Sequence, residues 1–384
     1  MKNYTRIALV SLAIGAAAQA APFMAIGDGA ELFVTGTLGV RVDDNIFLAS
    51  GIPANPNLPI SPTNRLAEEI DDIIFDIAPG VELTFGKNAQ LKGALTLSIA
   101  FSNYADNSNL NTALFNGDFV SRYDDGKLKL GFNAGYHELN QNSFDVLGLT
   151  RRDVFNAGAN AEVEVSPLTS VAAGLSFTHE NYHPRSFTDS DDLTVPVDFF
   201  YKWTPKMDLS IGYRFREHDV SSLGNDTKDH YFNVGARGEF SPKLTGRVTV
   251  GWNQRKIAGG DDESLFGLDA SLAWELTEKT SVQFGASNDF GTSPSGAQQK
   301  NLTLNGMVTT KLAEDWTVNG GLSWRSIDYD TRTDDYFELT LGTTYIVNAN
   351  VRIVGTYVFR NYSSDIRTAE FKNNVFSVAA QFRY

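Results

Sequence analysis

The 384-residue chain contains no cysteine. That excludes a disulfide framework, a lipid anchor on cysteine, a thiolate metal site and a cysteine nucleophile. Basic residues are also scarce, with 32 Lys and Arg against 46 Asp and Glu and a formal net charge of −14. An acidic chain of this kind is a poor partner for nucleic acid. No apolar run approaches the roughly 20 residues that a membrane helix needs. No Pro/Ser linker, composition shift or long charge run divides the chain, so residues 21–384 read as a single domain.

The chain begins MKNYTRIALVSLAIGAAAQA, with Lys2 and Arg6 ahead of a short apolar core and small residues up to Ala20. Residues 1–20 therefore read as a secretory signal peptide, which directs the rest of the chain out of the cytoplasm.

Beyond it, one pattern recurs. "SPLTSVAAGLSF" from Ser166, "TPKMDLSIGYRF" from Thr204, "SPKLTGRVTVGW" from Ser241, "TEKTSVQFGASN" from Thr277 and "AEDWTVNGGLSW" from Ala313 are each a turn followed by an alternating stretch. Their starts lie 38, 37, 36 and 36 residues apart. Apolar residues such as Leu209, Ile211, Tyr213 and Phe215 interleave with Ser210, Gly212, Arg214 and Arg216, which is the period of a strand with one apolar and one wet face. Short turns alternate with longer polar segments such as "DVSSLGNDTKD" and "GTSPSGAQQ". Strands near ten residues, short turns on one side, long loops on the other and a signal peptide together predict a closed antiparallel up-and-down transmembrane β-barrel in the outer membrane. Closure supplies the reason for the repetition, because in lipid no hairpin can leave its backbone edges unpaired.

Counting the short turns gives about 18 strands, from Leu32–Val42 to Phe376–Tyr384. The number is 16 if the hairpin around 113–123 is not one. Aromatic residues lie at both ends of the apolar face, with Trp203, Phe240, Trp316 and Tyr345 beside short turns and Phe177, Phe215, Trp252 and Trp324 beside long loops. A soluble propeller or sandwich has no need of two aromatic girdles. At the C-terminus, Phe376, Phe382 and Tyr384 alternate up to the last residue, the pattern of a signal for the barrel assembly machinery.

"TGTLGVRVDDNIFLAS" (35–50) and "IIFDIAPGVELTFGKNAQLKGALTLS" (73–98) carry Asp44-Asn45-Ile46-Phe47 and Pro79-Gly80. In these features the chain resembles the putative beta-barrel porin family of Gram-negative outer membranes. The resemblance implies a channel-type barrel, sometimes tied to exopolysaccharide export, with no catalytic residues to carry over.

A barrel of this strand number leaves an aqueous lumen. Its expected lining includes Arg214, Arg216, Arg237, Arg247, Arg255, Arg325, Asp198, Glu239, Asp269 and Glu338, with the first five forming a basic stripe. The leading expectation is a pore for passive diffusion of small hydrophilic solutes. A polysaccharide or oligosaccharide pore would want a line of inward aromatics, and only Phe33, Tyr104, Phe200, Tyr231 and Tyr336 are available. An adhesive barrel would act through loops that are poor in aromatics. A rim hydrolase would use His218-Asp219 facing Asp229-His230. No cofactor or dedicated metal site is expected. Asp191, Asp192, Asp261, Asp262, Asp334 and Asp335 are weak loop candidates for divalent cations. The expected partners are outer-membrane lipid, lipopolysaccharide and the assembly machinery, and a homotrimer is compatible with the pattern.

Overall fold

The computed structural model describes residues 21–27, 29–52, 57, 68–143, 148–184, 187–220, 226–329 and 331–384. The signal-peptide segment lies outside the described residues. In chain order the strands are β1 (Met24–Ile26), β2 (Ala30–Asp43), β3 (Asp72–Phe85), β4 (Leu91–Tyr104), β5 (Thr112–Asp124), β6 (Leu128–Ser143), β7 (Gly148–Ser166), β8 (Thr169–Tyr182), β9 (Ser190–Thr204) and β10 (Met207–Val220). They continue with β11 (Thr227–Ser241), β12 (Leu244–Ile257), β13 (Glu263–Glu275), β14 (Thr280–Thr292), β15 (Gln298–Lys311), β16 (Trp316–Tyr329), β17 (Arg332–Ile346), β18 (Val351–Ser364) and β19 (Phe371–Arg383).

From β2 to β19 every strand pairs antiparallel with its chain neighbours, and β19 closes on β2 from Val375↔Asp43 to Arg383↔Thr35. The result is a closed barrel of 18 strands, including the hairpin through β5. The extra strand, β1, was not legible in the sequence. It pairs with β2 from Met24↔Leu32 to Ile26↔Ala30, just below the point where β19 ends, and so covers backbone that β19 leaves open. Phe23 meets Tyr384 edge-on there, with ring centroids 6.4 Å apart.

The full-length strands have 13 to 19 residues rather than about ten. At roughly 3.3 Å per residue and a tilt near 40°, a 14-residue strand such as β10 rises about 35 Å. The apolar outer band of such barrels is about 25 Å tall, so the strand tips project beyond lipid.

The recurring turn has a local cause. Ser166 Oγ accepts Leu168 N–H at 3.2 Å, Thr204 Oγ1 accepts Lys206 N–H at 3.3 Å, and Thr277 Oγ1 accepts Lys279 N–H at 3.2 Å. A hydroxyl at the head of the turn thus takes up a backbone donor two residues on, and the proline that often follows presets its own φ. Two prolines within strands interrupt the ladders. The β3–β4 register skips from Ile77 to Gly80 around Pro79, and β8–β9 skips Val195 and Pro196, since proline offers no N–H. At Gly80 a Cβ would sit 2.7 Å from the Leu97 carbonyl oxygen, so a larger residue would push β4 away.

Candidate functional site: the lumen

Strand alternation decides which side chains meet the lumen. On β10, Leu209 and Ile211 are exposed on the outer surface, while Ser210, Arg216 and His218 are buried inside. The same parity exposes Trp203, Trp252, Trp316, Tyr345, Phe376, Phe382 and Tyr384 outward. Phe33, Tyr104, Phe200, Tyr231 and Tyr336 are all buried within.

The inner wall from β7 to β15 is bound together by ion pairs that reach past neighbouring strands. Asp229 on β11 takes both the Arg216 guanidinium and that of Arg255, whose Nε lies 2.7 Å away. Asp289 on β14 takes Arg214 at 2.8 Å and Arg216 at 3.2 Å, and accepts a bond of 2.6 Å from Asn253 Nδ2. Arg255 and Asp229 are each only 1% exposed. Nearer the short turns, Arg237 joins Glu162 of β7 at 2.6 Å and Asp208 at 3.0 Å, and Arg247 joins Asp198 of β9 at 3.1 Å. Two inward rings are covered by guanidinium groups, Phe200 by Arg237 and Phe33 by Arg383, each 3.4 Å from the ring centroid.

One break in the ladder makes this possible. β13 and β14 are registered only from Leu268↔Asn288 to Glu275↔Ser281, although both continue toward the long loops. The upper part of β14 stays paired with β15 but, free of β13, turns carbonyls to the charged cluster: Phe290 O accepts Arg216 Nη2 at 2.9 Å, and Gly291 O accepts Arg255 Nη1 at 2.7 Å. Above it, Thr188 N–H and Oγ1 both donate to Pro294 O, at 3.1 and 2.9 Å, joining the β8–β9 and β14–β15 loops. The cavity left beneath that bridge, lined by Glu180, Tyr182, His218 and Thr292, is about 30 Å³, room for a water or two.

On the other side of the ring a loop packs against the inner wall. After β2, residues 44–50 turn inward. Asn45, Ile46, Leu48 and Ala49 are at most 2% exposed. Ile46 packs on Ile74 of β3 and Tyr104 of β4. Leu48 packs among Ile327 of β16, Tyr336 of β17, Tyr362 of β18 and Phe371 of β19. A Cβ on Gly148, at the head of β7, would lie 3.5 Å from the Phe47 carbonyl oxygen. Asn45 closes the turn, donating from Nδ2 to Ala49 O at 2.8 Å and accepting Ala49 N–H at 2.7 Å. Asp43 Oδ1 accepts Asn45 N–H at 3.0 Å and Asn373 Nδ2 at 2.6 Å, and Asn373 Oδ1 accepts Arg360 Nη1 at 2.9 Å. Leu48 has φ of 51°, a left-handed conformation that costs a non-glycine residue about 1 kcal/mol or more. The surrounding contacts hold it there.

Toward the short turns the lumen is wetter. Lys92 and Arg122 face each other across β4 and β5, Lys129 follows on β6 opposite Asp124, and all are exposed. A cavity of about 130 Å³ opens there, lined by Lys127, Lys129, Glu164, Thr169, Ser170, Lys202 and Arg237.

Several expectations change against this geometry. The five arginines of the expected basic stripe are not free cations, since each is paired with a carboxylate as described above. Glu338 is bound by Arg360 at 3.2 Å and by Tyr336 Oη at 2.6 Å, and Glu239 by Lys206 at 2.8 Å. Asp269 lies opposite Thr249 and is exposed, and Arg325 lies opposite Tyr336. The rim constellation is not assembled: His218 is buried inside beside Asp192 at 2.8 Å, whereas His230, one face over, bonds Tyr213 Oη at 2.8 Å next to Phe215. Of the cation candidates, Asp191 binds His179 at 2.7 Å and Asp334 binds Arg332, Tyr362 and Ser364 at 2.6 to 2.8 Å. Asp261, Asp262 and Asp335 are exposed, and among the described residues no group of three His, Asp or Glu is arranged to hold a metal ion. Sequence reasoning missed Asn45, Asn253 and Asn373. Only Asn45 lay within a motif that drew attention.

The family model described as Putative beta-barrel porin 2 matches residues 63–384. No curated protein matches the chain in sequence. Among solved structures, the outer membrane protein OpdK from Pseudomonas aeruginosa is 9% identical with a TM-score of 0.48, covering 92% of this chain and 99% of its own. OccAB3 from Acinetobacter baumannii is 9% identical with a TM-score of 0.46, covering 94% of this chain and 100% of its own. A structure described as a bacterial polysaccharide outer membrane secretin is 10% identical with a TM-score of 0.39, covering 94% and 100%.

Proposed function

From the premise that this chain belongs to the Putative beta-barrel porin 2 family, we infer that it is an outer-membrane porin-like channel for passive diffusion of small hydrophilic solutes. The observation that carries the reading is the closed ring of 18 strands with an apolar exterior and a polar, charged interior. Lipid satisfies the outside, and water or a solute must satisfy the inside. The lumen is narrowed at its long-loop end, so the pore selects small solutes. Paired charges of both signs on one wall let it screen by polarity.

A polysaccharide track receives less support. The five inward aromatics are not stacked along one path: Phe200 and Phe33 lie under guanidinium groups, Tyr231 lies under Arg214, and Tyr104 and Tyr336 are held in the two loop clusters. Insertion by the assembly machinery through the Phe376, Phe382 and Tyr384 ending, contact with lipopolysaccharide and homotrimer formation belong to the same proposal. Purified barrel in liposomes tests it, with swelling in arabinose or glycine faster than in oligosaccharides and stepwise conductance in planar bilayers. Empty liposome rates for every solute would end the reading.

A further inference from the structure

The segment Asp43–Ser50 does something that a connecting loop need not do. β3 and β16 stand five strands apart in the ring of 18, on either side of the β2–β19 closure. Within three consecutive residues the chain reaches from Ile46 against β3 and β4, through the Phe47 carbonyl beside Gly148 of β7, to Leu48 against Ile327 of β16. Three residues extend over about 10 Å at most, well under the width of a ring of 18 strands spaced about 4.8 Å apart, so the segment is a shelf whose side chains span from the β3–β4 wall to the β16–β19 wall, with the head of β7 beside it. It is also anchored. Asp43 and Asn373 hold its root at the β2–β19 closure, Asn45 ties it into a ring with Ala49, and Asn45 Nδ2 donates to Lys372 O at 3.0 Å. Ile46 N–H donates to Ile70 O at 2.9 Å, which ties the outgoing and returning arms of the loop together.

We propose that residues 44–50 are a fixed internal partition that sets the size limit of the pore, with Ile46 and Leu48 as its wall anchors and Asn45 as its latch. The inference rests on the channel reading. Two apolar side chains buried at separate stretches of wall resist displacement by water, while a polar latch buried beside them has no use if the loop is free to swing out. The partition lies against β16 to β19 and β2 to β4, with the head of β7 beside it. The charged wall and the Thr188–Pro294 bridge narrow the other side, and solutes pass between the two.

The absence of native cysteine makes the test direct. Ala49→Cys is introduced alone, and together with the release substitutions Asn45→Ala and Leu48→Asp. Folding of each variant is checked by heat-modifiable gel mobility, and a milder release variant, Ile46→Ala with Leu48→Ala, stands in if the first does not fold. The expected result is slow labelling by a maleimide-polyethylene glycol in the otherwise native barrel and fast labelling after release. Release should raise single-channel conductance, because the segment then no longer occupies the lumen between the β3–β4 and β16–β19 walls. It should also admit neutral trisaccharides that the native barrel excludes. Equal labelling with and without release, or fast labelling with unchanged conductance and size limit, overturns it. Silence in both forms overturns the channel reading along with it.

Discussion

Two sides of the barrel are held together toward the long loops by different physics. From β16 through β19 and β2 to β4 the inward packing comes from one contiguous segment, with Ile46 and Leu48 in apolar clusters and a few amide bonds at Asn45 and Asn373. From β8 to β15 it is a network of wall residues distant in sequence, such as Arg214 and Asp289 or Arg255 and Asp229. Burying charge is costly unless every ion is paired, so that network tolerates no missing member. An apolar insert has no such requirement. The comparison teaches that the charged half is a rigid part of the wall, whereas the apolar half is a separable element laid into it.

Removing a shared anion is the most severe way to break the comparison. Asp229→Ala leaves Arg216 and Arg255 buried without it, and the expected destabilisation is about 3 to 5 kcal/mol. A thermal unfolding midpoint equal to that of the native barrel would show that the cluster is solvated after all. Next in size is Ile211→Arg on the outer face, where Ile211 is 67% exposed to lipid, expected to cost about 2 to 4 kcal/mol near mid-membrane. Unchanged folding in detergent and bilayer would contradict the outward assignment.

Arg214→Glu sharpens the comparison, because it brings a second carboxylate up to Asp289 rather than merely recolouring an open wall. The coupling to Asp289→Arg, read from a double-mutant cycle in unfolding experiments, should lie in the range of about 0.5 to 3 kcal/mol. Additive effects would mean that the pair does not form. The smallest effect is expected at Arg122, which stands with Lys92 in the wet end. Arg122→Gln should leave the unfolding midpoint unchanged and shift the zero-current potential toward cation preference. The shift should fade at 1 M salt, where the Debye length falls to roughly 3 Å. A midpoint that drops as far as in Asp229→Ala would place Arg122 in a paired network too.

Much of the fold was legible because strand alternation and turn chemistry are local. The Ser/Thr-Pro turns at Ser166, Thr204 and Ser241 mark hairpin ends by their own residues, and the outward placement of Ile211 follows from its distance to that turn. Strand length was underestimated, since the tips of β7 and its neighbours carry no apolar signal where they leave the lipid band. β1 escaped notice because three residues are too few for a period. For the lumen, the sequence named the charged residues and their face but not their partners. His218 and His230 looked like one constellation until the register put them on opposite faces.

By itself, then, the sequence determined the period, the turns, the two faces and the closure of the barrel, all of which depend on neighbours within a few residues or on the requirement that lipid leave no backbone edge unpaired. Only the tertiary structure decided which charges cancel and where the lumen narrows. Those depend on the curvature of the ring and on the parting of β13 from β14, which bring Arg216 to Asp289 across 73 positions and carry Leu48, just after β2, to Ile327 on β16 four strands round the ring.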